Sequence, residues 1–125
     1  MRLLPVLLLL VLAVPACKKE EPALMATLQA TCRNCIVSRA IGSAQSRKDT
    51  LRGHVVAPGD TIAETRVWTM ELKEGDNIFL RACRLHEDTA YSGLELHVGG
   101  DVRPMQAMGD TSAHCIQVNA PGMRP

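Results

Sequence analysis

The sequence predicts an all-β domain. From Trp68 onward apolar and polar residues alternate with period two, and clusters of Gly, Asp and Asn separate the alternating runs. Four cysteines, Cys32, Cys35, Cys83 and Cys115, supply an even set for covalent stapling. A single Trp, a single Tyr and a single Phe leave the core to Leu, Ile, Val, Met and Ala, and a small core of that kind gains from such staples.

The elements follow in order from the N-terminus. Met1-Arg2 opens a short basic start, Leu3 to Val14 form an apolar run, and small Ala16 stands directly before Cys17. The run is short of the roughly 20 residues a membrane span requires. It resembles a bacterial lipoprotein signal, which implies removal of residues 1–16, lipid on Cys17, and attachment to a membrane facing the periplasm or cell exterior. Lys18-Lys19-Glu20-Glu21-Pro22 extends the anchor as a solvated tether (17–22), and residues 23–125 make one domain. The chain has 14 Lys and Arg against 13 acids, and Arg2 of the leader is one of the former, so no charge excess points to nucleic acid.

Leu24, Leu28, Cys32, Cys35, Ile36 and Ala40 fit one side of a helix, whereas Leu24, Ala26, Leu28 and Ala30 fit one face of a strand. Periodicity leaves the two open. Gly42 to Thr50 form a polar loop or hairpin tip, and Ala57-Pro58-Gly59-Asp60 a turn. Trp68, Met70 and Leu72 alternate with Thr69, Glu71 and Lys73 before the turn Glu74-Gly75-Asp76-Asn77. Ile78, Leu80 and Ala82 then share one face and Phe79, Arg81 and Cys83 the other, which predicts a hairpin. Leu94, Leu96 and Val98 form the next inward row, Gly99-Gly100-Asp101 a turn, and Ile116 with Val118 the last inward pair.

Four cysteines allow three pairings. Cys83 and Cys115 share the parity opposite the inward rows, so the preferred pairing joins them and leaves Cys32 with Cys35 across Arg33-Asn34.

The runs Trp68 to Leu72, Gly75 to Leu80, Leu94 to Val102, and Ala113-His114-Cys115-Ile116-Gln117-Val118 resemble the extracytoplasmic domain of the mycobacterial small membrane protein (MmpS) family and its lipoprotein relatives. Trp68, Gly100-Asp101-Val102 and Cys115 carry most of the resemblance. It implies a small immunoglobulin-like β-sandwich, with first strands running through Ala26 to Ala40, and an accessory role beside an envelope exporter.

The leading functional expectation is therefore a non-enzymatic, lipid-anchored binding module for another envelope protein, with no cofactor. The alternative is a periplasmic metal-binding module, because Cys32, Cys35, Cys83 and His86 have the ligand types of a Cys3His zinc site and His114 adds another ligand. Cys32-Arg33-Asn34-Cys35 also has the spacing of a redox motif, but no βαβ pattern surrounds it. Ser112 near His114, and Ser92 and Asp88 near His86, lack any nucleophile-elbow context. Glu64, Glu71, Asp88 and Asp110 show no paired spacing for acid–base work or a calcium loop. His54 and His97 fit solvated outward positions, and Pro104, Met105 and Met108 a surface loop with the makings of a soft patch. Arg66, Arg81, Arg84 and His97 are expected at outward positions beside strand edges.

Overall fold

A computed structural model describes residues 22–85, 93–110 and 113–125. Ten strands account for most of them: β1 (Leu24–Cys32), β2 (Cys35–Ile41), β3 (Arg47–Leu51), β4 (His54–Ala57), β5 (Asp60–Ile62), β6 (Glu64–Leu72), β7 (Asn77–Arg84), β8 (Leu94–Gly100), β9 (Met105–Gly109) and β10 (Cys115–Pro121). One sheet has the order β6-β1-β8-β9, a second has β10-β7-β2-β3, and β4 with β5 form a separate two-stranded ribbon. All pairings are antiparallel.

The first segment is a strand because its alternation matches the partners it meets. Leu24, Ala26, Leu28, Ala30 and Cys32 point inward and are buried, while Met25, Thr27, Gln29 and Thr31 face outward. β1 is central in its sheet, held by β6 over its whole length and by β8 from Ala26 to Thr31. Its small inward Ala residues alternate with Leu, which brings the facing rows close enough to interdigitate. Those rows are Cys35 and Val37 of β2, Leu51 of β3, Ile78, Leu80 and Ala82 of β7, and Val118 of β10, while Leu94, Leu96 and Val98 of β8 extend the inward face of β1 within its own sheet. Each fully buried aliphatic side chain contributes about 1.5 to 3 kcal/mol through the surface it removes from water.

Two successive-strand pairs interlock. β1 and β2 belong to different sheets, as do β6 and β7, yet β1 pairs with β6 and β2 with β7. Immunoglobulin-type sandwiches likewise join two antiparallel sheets by connections that cross between them. This interlock corrects the hairpin expected across Glu74-Gly75-Asp76-Asn77: the turn carries the chain from one sheet to the other. Residue parity could not separate the cases, because both place Ile78 and Leu80 inward. The crossing is braced by Gly75 N–H donating to the Gly122 carbonyl (2.9 Å) and Gly122 N–H to the Asp76 carbonyl (2.8 Å).

The polar stretch Gly42 to Thr50 is a loop only in part. From Arg47 it forms β3, an outermost strand whose sole buried residue is Leu51. Outermost strands commonly carry charge, which opposes pairing with other chains and conceals them in a hydropathy reading. The sandwich closes on its β9–β10 side, where β10 packs against β9 and β8. The opposite flank, between β3 and β6, is open.

Candidate functional site

The end of the sandwich where β1 passes into β2 is held by covalent and polar ties. Cys32 and Cys35 are disulfide-bonded and fully buried, so their link staples one sheet to the other at the corner. Asn34 completes the tight turn in the left-handed region (φ 49°), which Asn tolerates better than most residues. Arg33 is thereby fixed in direction, and its Nη1 donates to the Thr61 carbonyl of β5 at 2.6 Å.

Arg33 holds the base of the β4–β5 ribbon. Gly53 begins it with φ +103°, and a Cβ there would lie 2.7 Å from the Ile62 carbonyl oxygen. The Gly53 N–H donates to Glu64 Oε1 (3.1 Å), and Arg66 Nη2 donates to Glu64 Oε2 (3.2 Å). Burial pushes the Glu64 pKa up, but the Gly53 hydrogen bond, the Arg66 hydrogen bond and charge, and the Arg52 backbone outweigh it, leaving the carboxyl below its usual range. An ionised carboxylate is thus the acceptor that ties the ribbon to β6.

Beyond this base the ribbon projects. Val55, Val56 and Ile62 are 65%, 51% and 49% exposed, and all four residues of β4 face solvent. A two-stranded hairpin is marginal alone, and this one exposes aliphatic side chains on both faces, Val55 on the side of Thr61 and Ile62 on that of His54, surface that a partner wrapping the ribbon would cover. The turn at Pro58-Gly59 was legible in the sequence. The significance of Val55, Val56 and Ile62 was not, because an apolar pair before a turn suits an inward strand equally well.

Beside the ribbon, β6 is an outermost strand nine residues long. Its inward Trp68 and Met70 are only half-covered, and they line the open groove of about 570 Å3 between β6 and β3 with Arg39, Gln45 and Arg47. The Arg39 guanidinium carbon lies 4.7 Å from the Trp68 ring centroid and also pairs with Asp49. That stacking shields the Trp face while leaving the groove wall amphipathic.

The other cysteine pair lies elsewhere. Cys83 and Cys115 are directly opposed on β7 and β10, Cα atoms 4.1 Å apart, on the outer face of their sheet and disulfide-bonded. Cys32 and Cys35 face the core whereas Cys83 faces outward, so the three described cysteines of the Cys3His alternative do not converge; His86 lies outside the described residues. Among the described residues no three or more Cys, His, Asp or Glu gather as a metal site. Cys17, Asp88, Ser92 and Ser112 also lie outside them.

Met105 and Met108 have opposite parity on β9. Met105 packs on the core and Met108 is exposed, so they do not form one soft patch. His54 stands on β4 and is exposed. His97 contacts Glu95 on the outer face of its sheet. Of the arginines expected at outward positions beside edges, Arg81 faces outward on β7, which β10 flanks, whereas Arg66 shares the inward row of the outermost strand β6 with Trp68 and Met70, and Arg84 the inward row of β7 with Leu80 and Ala82, each at a strand end where that row leaves the core. Arg84 Nε and Nη2 donate to the Ala113 and Asp110 carbonyls, both at 2.7 Å, and brace that loop.

These features define a small, disulfide-stapled β-sandwich with an apolar arm. No protein-family model, curated protein or solved structure matches the chain.

Proposed function

We propose that this protein is a lipid-anchored, non-enzymatic binding module of the bacterial cell envelope that docks onto another envelope protein through the β4–β5 arm and the adjoining β6 edge. The projecting arm carries the proposal: three exposed aliphatic side chains, Val55, Val56 and Ile62, on a ribbon fastened to a covalently stapled corner. A partner covering them would remove apolar surface from water, and an extended segment beside β6 would satisfy backbone groups along its outer edge.

The direction of the chain supports this arrangement. The tether enters at Leu24, at the far end of β1 from Cys32, and β1 spans about 27 Å at the usual strand rise. From Cys17 to Leu24 the chain reaches at most about 24 Å. With lipid on Cys17, the Leu24 end lies toward the bilayer and the arm points away, toward a partner's extracytoplasmic portion. The resemblance to the MmpS family makes an exporter the partner to look for.

Crosslinking in cells tests the proposal. Val56→Asp should abolish the crosslinked partner while Trp68 fluorescence and the thermal transition stay as in the parent protein. A partner captured equally by Val56→Asp and by the double variant Val55→Asp with Ile62→Asp would refute docking through the arm.

A further inference from the structure

Two disulfides with opposite surroundings divide the labour in this fold. Cys32–Cys35 is sealed in the core, both residues 0% exposed. Cys83–Cys115 lies half-exposed on the outer face of the β10-β7-β2-β3 sheet. We infer that Cys83–Cys115 is a site of thiol–disulfide exchange, attacked at the Cys115 sulfur by the thiolate of an external dithiol donor.

The register selects the sulfur. Along one row of the outer face stand Thr50, Ile36, Cys83 and Cys115, on β3, β2, β7 and β10 in turn. Displacement at a disulfide requires the nucleophile to approach in line with the S–S bond, from behind the sulfur attacked. Behind Cys83 on this row stands Ile36. Behind Cys115 no further strand of its own sheet follows, and β9 of the other sheet meets β10 through the inward Ile116, on the face opposite the disulfide.

Electrostatics favours the same approach. Arg81 Nη2 lies 3.6 Å from the Cys115 Sγ. On the next row Lys48 pairs with Ser38, Ser38 with Arg81 and Arg81 with Gln117, so two cations share this face. The outward strand residues of the face, from Ile36, Ser38 and Ala40 through Phe79 to Asn119, include no Asp or Glu. A thiolate crossing the β10 edge therefore meets positive charge beside its target.

The exchange balances. The donor thiolate bonds to Cys115 Sγ, the Cys83–Cys115 bond breaks, and Cys83 leaves as a thiolate that takes a proton from water. The donor's second thiolate then attacks the mixed disulfide at its own first sulfur and releases Cys115. The donor is oxidised to a disulfide by two electrons, and Cys83 and Cys115 are reduced by two. Run in reverse, the same steps let an external disulfide oxidise this pair.

Limiting glutathione applied to the folded full chain, followed by rapid trapping of free thiols with excess N-ethylmaleimide and peptide mapping, is the test. Glutathione on Cys115, alkylation on Cys83 and an intact Cys32–Cys35 bond are expected. Glutathione on Cys83, opening of Cys32–Cys35 at the same rate, or no opening of Cys83–Cys115 before unfolding would overturn the assignment. Arg81→Gln should slow reduction by anionic glutathione several-fold more than reduction by cationic cysteamine, and Arg81→Lys should restore the parent ratio. An unchanged ratio in Arg81→Gln would remove Arg81 from the site.

Discussion

Replacing Gly53 with Ala tests how the arm is held. The native φ of +103° lies where an L side chain is strained, which costs about 1 to 3 kcal/mol. The added Cβ would also meet the Ile62 carbonyl oxygen at 2.7 Å, the Thr61 Cγ2 at 2.7 Å and the Arg33 Cγ at 2.8 Å. The side chains can turn aside, but the carbonyl belongs to the backbone of β5 and moves only with the ribbon. Relief by movement puts at risk the Gly53–Glu64 and Arg33–Thr61 hydrogen bonds, each involving a charged group and contributing about 1.5 to 3 kcal/mol. The β4 residues are all exposed, so detaching the ribbon uncovers little core and limits the loss. Gly53→Ala should therefore lower global stability by about 2 kcal/mol in urea unfolding followed by Trp68 fluorescence. Hydrogen exchange should show a larger effect at Val55 and Thr61, whose amides should lose protection beyond the fall that the global change imposes on core amides such as those of Leu28 and Leu80. Stability within about 0.5 kcal/mol of the parent, with undiminished protection in the ribbon, would refute the account.

Converting both Cys83 and Cys115 to Ala should cost about 3.5 kcal/mol in the chain-entropy treatment, given their separation of 32 residues. Non-reducing peptide maps of the parent should show Cys83 joined to Cys115; Cys115 joined to Cys32 or Cys35 would contradict the pairing. Because the Glu64 pKa is lowered in the folded state, its stabilisation is present above the ordinary glutamate value of 4.5 and is lost as pH falls through the lowered one. Glu64→Gln should therefore destabilise by about 1 kcal/mol at pH 7 and flatten the acid limb of stability against pH, measured by urea unfolding. Cys17→Ser should release the protein from the membrane fraction; retention of the full-length chain with its leader would contradict lipid anchoring.

Much of the architecture was legible in the sequence. Inward rows such as Ile78, Leu80 and Ala82, or Leu94, Leu96 and Val98, follow from period-two alternation alone, because a strand with one face in the core must bury every second side chain. The common parity of Cys83 and Cys115 was legible for the same reason. Which strands pair was not: alternation is identical whether a turn returns the chain to the same sheet or carries it across, so Glu74 to Asn77 suited a hairpin until β7 was seen beside β2. Leu24 to Cys32 remained between helix and strand because alternating Leu and Ala satisfy both periods, and the two flanking strands decide it. Exposure of Val55, Val56 and Ile62, and the open flank beside Trp68, depend on what fails to cover them. Local sequence determines which face of a strand is apolar, whereas only the assembled sheets determine whether that face meets a partner within the chain.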